Sequence, residues 1–417
     1  MTPAGRAPGI RGRGGRAPGG PVLRGITWDH PRGYAALDEL ARLDAAADPA
    51  YGAVPAPLGW DRQPLAGFEA TPIADLAGRY DLLVLDHPGL GAATAALHPL
   101  DELFGEDELA TWAAATAGPS FASYRYAGRP WALPLDAATQ VCVVRPDLMD
   151  GRPPPATWPE VAALARECRV ALVLGGPHAL LTLLAICAAQ GAPPVTEAGG
   201  GGAAGGFADD AAARDAVLLA LGLLADVWAR ADQAMAAGSP IDVLEAMAAG
   251  DVAACAPLVY GYVTYSEPGR RHPLAACDAP AWRPGGPPGS VLGGTGVAVS
   301  RRVAGQDIQT ARAHLRRLLS GPVQRGLVPQ AGGQPALRAA WESGEVNAGC
   351  GGFYRRTRAT LDQAWVRPRF AGWIAFQDQG SAVVREGLLY RAAPSHILRR
   401  LRSAFDTCCP HRRVVRA

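Results

Sequence analysis

Tyr80-Asp-Leu-Leu-Val-Leu-Asp-His-Pro-Gly89 shows the repeating unit of the chain most plainly. The short apolar run reads as a buried strand, and the Asp-His-Pro-Gly that follows ends it as a turn. The same pattern stands earlier in the chain. Val22-Leu-Arg-Gly-Ile-Thr-Trp28 runs into Asp29-His-Pro-Arg-Gly33, and a helix follows with Leu37, Leu40 and Leu43 on one face. Further short buried runs lie at 141–144, 170–174, 252–259 and 296–300. The helices between them are well signed. Thr157-Trp-Pro-Glu160 is a capping box, and Ser239-Pro240 supplies an N-cap with proline in the first turn of a helix that Gly250 closes. The apolar stretches 179–189 and 216–225 read as buried helices, too short to span a bilayer. Strands alternating with helices predict an α/β architecture with mostly parallel sheets.

Composition sets the bounds around this pattern. The 417 residues suit two or three domains. A hydrophobic share of 49% with 19% charged residues belongs to a folded chain. Glycine (51) and proline (37) are in excess, partly because the first 21 residues are almost all Gly, Pro, Ala and Arg; that segment reads as a disordered tail. The glycine-rich stretch 199–206 reads as a surface loop. All forty Lys+Arg positions are arginine. Without lysine there is no Walker-A loop and no Schiff base. Arginines gather in the first 16 residues and again beyond 398, and both groups read as solvated ends. With a net charge of +2, no nucleic-acid partner is indicated.

Candidate chemistry gathers where strands end, because ligands of open α/β sheets sit beyond the carboxyl ends of the strands. Those ends carry Asp29, His30 and Arg32; Asp86 and His87; Asp136; Gly175-Gly-Pro-His178; and Tyr260 with Tyr262. The Asp-His pairs offer acid–base or metal-binding groups, but no metal-ligand spacing accompanies them. No GxSxG elbow is present. The eight cysteines, at 142, 168, 187, 255, 277, 350, 408 and 409, lack CxxC spacing; neither zinc nor a disulfide framework is expected. Gly293-Gly-Thr-Gly296 fails as a dinucleotide fingerprint because a strand follows it, so a close backbone approach is expected instead. Trp28 and Trp131 lie beside these segments, and indoles suit stacking on sugar rings.

Tyr80 to Asp86, Tyr126-Ala-Gly-Arg-Pro-Trp-Ala-Leu-Pro-Leu-Asp136, Val143-Val-Arg-Pro-Asp-Leu-Met149 and Pro155-Ala-Thr-Trp-Pro-Glu160 together resemble the extracellular solute-binding proteins of ABC importers, most of all the sugar-type family 1. In that family a strand of the second kind crosses between lobes, the third kind opens the second lobe, and the fourth starts a helix. Met247-Ala-Ala-Gly-Asp-Val-Ala253 and Leu292-Gly-Gly-Thr-Gly-Val-Ala-Val-Ser300 resemble later passages, so the likeness spans about 22–395. Thr27 to Gly33 departs from the family's usual opening.

The resemblance implies a two-lobed type II periplasmic-binding fold. Its expected lobes are 22–136 plus 289–330 and 137–288 plus 331–405, between a tail at 1–21 and a basic tail at 406–417. Crossings are expected near 136–141, 264–288 and 330–341. It implies a non-enzyme that captures a small polar solute, with carbohydrate the expected class, between lobes that close about a hinge. The expected ligand-binding residues are Trp28, Asp29, His30, Arg32, Asp86, His87, Trp131, Asp136, Tyr260, Tyr262, Gly294 and Trp373, with no cofactor and no metal. Arg32 suits a carboxylate or phosphate better than a neutral sugar. Expected partners are the membrane subunits of an ABC permease, for a monomer; localisation is periplasmic by resemblance, although no signal peptide is visible. The alternatives are an intracellular enzyme using the Asp-His pairs and a cytoplasmic ligand-sensing module.

Overall fold

Two of the apolar runs become strands β1 (Leu23–Trp28) and β3 (Leu82–Leu85), and a strand the sequence reading did not foresee, β2 (Leu58–Gln63), lies beside β1. β1 pairs in parallel with both of the others. Parallel neighbours need a crossover, and α1 (Pro31–Ala45) supplies it from β1 to β2, burying Leu37, Leu40 and Leu43. The structure is a computed structural model that describes residues 23–409, apart from 47, 49, 55, 66, 67, 69, 70, 168 and 196–205. The tail at 1–21, Cys168, nearly all of the glycine-rich loop and the last eight residues lie outside the described residues.

Two long strands tie the halves of the molecule together. β4 (Leu133–Val144) is buried along its whole length. Its second half pairs with β5 (Cys255–Tyr260) and β6 (Ala275–Cys277). Its first half pairs with β7 (Leu292–Ser300), from Leu133↔Val297 to Thr139↔Leu292, and the far end of β7 pairs with β3. One sheet thus runs in the order β2-β1-β3-β7-β4-β5, with β6 beside β4. The strand sense is more mixed than the mostly parallel sheets expected, because every pair made by β4 and β7 is antiparallel. Strands that carry the chain out of a lobe and back again must run in opposite directions.

Gly294 shows how tightly these two strands approach. Its φ is +91°, and a Cβ there would lie 2.5 Å from the carbonyl oxygen of Asp136. A side chain at Gly293 would lie 2.6 Å from the ring of Tyr260. The glycine cluster therefore serves a strand and a ring at close range.

Helices cover both faces of the sheet. In α2 (Trp158–Leu164), Glu160 N–H donates to Thr157 Oγ1 at 3.4 Å and Thr157 N–H donates to Glu160 Oε2 at 3.2 Å. α3 (His178–Ala189) is buried on nearly every side, and α4 (Ala211–Trp228) packs against it. Ser239 and Asp242 cap α5 (Pro240–Ala249), which ends at Gly250 in extended backbone. α6 (Gln306–Leu318) belongs to the first lobe, whereas α7 (Trp373–Leu389) and α8 (Pro394–Cys408) close over α3 and α4 in the second.

Four apolar clusters result, one on each face of the sheet in each lobe. In the first lobe Leu82, Val84 and Val297 face one way, and Leu83, Leu85 and Ala298 the other. In the second, Cys142 and Val144 oppose Val141 and Val143. This is the period of two that strand geometry imposes.

Two expectations change. The run 170–174 builds no ladder, because Ala171 N–H goes to Cys255 O and Leu174 N–H to Ala236 O, in different elements. The segment 264–288 makes no crossing: Leu274, Ala276 and Ala279 lie in second-lobe cores, and the return runs through β7. Among the described residues no helix is long and apolar enough to cross a membrane.

Candidate functional site

The parallel strands β1 and β3 end side by side, and each turn beyond them meets the second lobe. Beyond β1, His30 accepts the Arg32 N–H at Nδ1 (3.2 Å) and caps α1, with Pro31 in its first turn. The cap sends Arg32 across the joint. Its guanidinium grips Asp136 with two hydrogen bonds, Nε to Oδ2 at 2.7 Å and Nη2 to Oδ1 at 2.9 Å, and donates to Gly261 O at 3.3 Å. Both side chains are almost wholly buried. Burial alone would lower the Arg32 pKa, but the charge and hydrogen bonds of Asp136 outweigh it and raise it. Thr295 N–H adds a third bond to Asp136 (3.0 Å).

Rings wall this pair in. The guanidinium lies 5.0 Å from the centroid of Tyr262 and 5.8 Å from that of Trp28. His30 stacks on Trp28 at 5.2 Å and meets Tyr262 edge-on at 5.1 Å. Burial first, then Arg32, pushes the His30 pKa down to about 4.

Beyond β3, Asp86 accepts the His87 N–H at 2.8 Å and starts a short 3-10 helix at His87–Ala92. Its other oxygen pairs with Arg367 of the second lobe. Arg367 also donates to Gln377 Oε1 at 3.0 Å, and Arg369 reaches the carbonyls of Ala122 and Ser123. His87 is completely buried at this seam, edge-on to Tyr124 at 6.2 Å. Its Nδ1 lies 3.0 Å from Asp86 Oδ1, and its Nε2 has no hydrogen-bond partner among the described residues. Burial pushes its pKa down to about 4; Asp86 opposes the shift, while Arg367 and Arg369 add to it. Across the seam His178 meets the Tyr260 ring at 5.7 Å, and burial with the charges of Arg367 and Arg385 likewise pushes it down to about 4. Gln140, the register partner of Tyr260, keeps a buried Oε1 without a partner among the described residues.

The expected site residues therefore fall into groups. Trp28, His30, Arg32, Asp136, Tyr262 and Gly294 meet at the joint beyond β1. Asp86 and His87 belong to the seam beyond β3, and Tyr260 lies between Gly293 and His178, the latter within the field of Arg367. Asp29 is exposed, 3.6 Å from Arg62. Trp131 is buried in a first-lobe core with its Nε1–H on Tyr126 O (2.9 Å), and Trp373 is fully buried among Trp365, Phe370 and Phe376. Neither indole joins either group. Sequence reasoning missed Arg367, Gln377, Gln140 and Tyr124. Tyr124 and Gln140 lie beside quoted segments, whereas Arg367 carries no local signal at all.

The arrangement joins two lobes and leaves neutral polar atoms buried between them. Its carboxylates are spoken for by arginines, and its histidines are held uncharged. Among the described residues no group of three His, Cys, Asp or Glu side chains is placed to hold a metal ion.

No family model and no curated protein matches the chain. Solved structures do. A maltose-bound T. maritima MalE3 superposes with a TM-score of 0.74 at 15% identity, covering 92% of this chain and 99% of that one. A ribitol complex of an ABC transporter solute-binding protein from Agrobacterium radiobacter K84 gives 0.73 at 18%, over 92% and 98%. A solute-binding protein from Thermotoga lettingae TMO bound with α-D-tagatose gives 0.70 at 16%, over 93% and 99%. At such identities the likeness shows the fold, the two-lobed one of the periplasmic binding proteins.

Proposed function

We propose that this chain is the substrate-binding component of an ABC importer, capturing a small uncharged polyhydroxy solute, a sugar or polyol, between its lobes by hinge closure, without chemistry on the solute. The observation that carries the reading is His87. It is wholly withdrawn from water where Asp86 and Arg367 join the lobes, it is held neutral, and its Nε2 has no partner among the described residues. A buried polar atom left unsatisfied costs free energy that a ligand hydroxyl would recover. An anionic solute fits less well, because Asp136 already fills the Arg32 fork and Asp86 pairs with Arg367. The maltose, ribitol and tagatose held by the structural neighbours are neutral polyhydroxy compounds, which supports the class.

On this reading Asp86, His87, Tyr260, His178 and Gln140 face the solute, while Trp28, His30, Arg32, Asp136, Tyr262 and Gly294 form the joint on which the lobes turn. The lobes are 22–136 with 289–330 and 137–288 with 331–405. The protein works as a monomer in the periplasm, and its partners are the permease's membrane subunits. A thermal-shift panel of neutral sugars and polyols, beside sugar acids and sugar phosphates, tests the function. A neutral solute should raise the midpoint, with about 2.7 kcal/mol of stabilisation at a hundredfold excess over its Kd. Stabilisation by the anionic compounds alone, or by none of the panel, would overturn it.

A further inference from the structure

Three cysteines stand in a row across adjacent strands, on one face of the second-lobe sheet. Cys142 on β4 is the register partner of Cys277 on β6, and its Sγ lies 3.8 Å from that of Cys255 on β5. Cys277 Sγ donates to Cys142 O at 3.6 Å. Cys142 and Cys255 are fully buried in the core beneath α2 and α3, and Cys277 packs against the same core while half-buried. Residues directly opposite on antiparallel strands have Cα atoms about 4.5–5.5 Å apart, inside the range a disulfide spans. β6 is three residues long and, among the described residues, its only ladder partner is β4, so Cys277 sits at the margin of the sheet.

We propose that this row is an oxidisable site in which Cys142 closes a disulfide with Cys277, and that Cys277 is where a disulfide oxidant enters. The Cys277 thiol loses its proton to solvent, and the thiolate attacks one sulfur of the oxidant R–S–S–R. That S–S bond breaks, one thiolate leaves and takes up a proton, and a mixed disulfide forms on Cys277. Cys142 then loses its proton and attacks Cys277 Sγ, expelling the second thiolate. Two protein thiols and one disulfide become one protein disulfide and two small thiols. Cys255 remains a thiol in contact with Cys142. Hydrogen bonding among the sulfurs, Cys142 to Cys255 and Cys277 to Cys142, and then burial raise both reacting thiols above the ordinary range, which makes the closure slow at neutral pH and faster in alkali. The bond would tie the marginal strand β6 to β4, the strand that crosses between lobes.

The test uses the full chain incubated natively with oxidised glutathione at pH 8, then denatured, alkylated and weighed. The expected product carries two fewer alkylated thiols than the untreated protein, and peptide mapping places the link between Cys142 and Cys277. Cys277→Ala should lose the linked species over the same incubation, and Cys187→Ala should retain it. A full complement of free thiols would overturn the proposal. So would a glutathione adduct that persists on Cys277, a link confined to Cys408 and Cys409, or a Cys277→Ala variant that links Cys142 as fast as the parent. Mapping the unaltered protein keeps the test decisive even if a variant misfolds.

Discussion

His30 and His87 occupy the same place in two Asp-His-Pro turns, yet their rings have different neighbours. His30 caps α1 and stacks on Trp28, so its truncation acts on the fold. His87 is wholly buried and its Nε2 contacts no partner among the described residues, so on the proposed reading its truncation costs solute affinity as well as packing. His30→Ala should lower the stability of the solute-free protein by about 1 kcal/mol. His87→Ala should weaken solute binding by about 0.5–1.5 kcal/mol for each hydrogen bond lost. Urea titrations and calorimetry on both variants check the pair, and the reverse assignment would move the site to the β1 joint.

The same residues set the response to acid. His30, His87 and His178 have folded-state pKa values pushed down to about 4 from an ordinary 6.5. Between those values the unfolded chain binds more protons than the folded one. The contribution of these groups is therefore fully present above pH 6.5 and is lost as pH falls towards 4. Urea midpoints should decline over that window, and His87→Gln should flatten the decline. An identical slope in the variant would mean that the ring is already charged in the folded state. The sequence pointed to both histidines through their place after strands. It did not show Arg367, which sits 281 positions from Asp86 and reaches it only because α7 and its approach fold back over the seam.

At the scale of elements, signals carried by neighbouring residues read through. The Thr157 and Ser239 caps, the leucine face of α1 and the buried runs of α3 and α4 all stand where local chemistry puts them. What failed depended on partners far along the chain. The run 170–174 has the composition of a strand but shares its hydrogen bonds between two elements, and the antiparallel sense of β4 and β7 follows from lobe connectivity that periodicity cannot express. Gly294 belongs at this scale. Its positive φ and the 2.5 Å approach of Asp136 O leave no room for a side chain. Gly294→Ala should therefore cost about 1–3 kcal/mol in urea unfolding. An unchanged midpoint would show that β4 and β7 separate freely, and with it that the joint is not a fixed axle.

At the scale of the whole molecule, the proposed function has two lobes, joined by β4 and β7 and seamed by Arg32 and Arg367, close on a neutral solute. Closure shifts an equilibrium between open and closed forms by the solute's difference in affinity for the two. The likeness to two-lobed binding proteins over more than nine-tenths of the chain gives the frame in which such closure is expected. The direct test is small-angle scattering of the protein with and without the sugar or polyol that stabilises it most in the thermal panel. The radius of gyration should fall on saturation, and His87→Ala should need more solute to reach the same contraction. A radius of gyration unchanged at saturating solute would contradict capture by hinge closure.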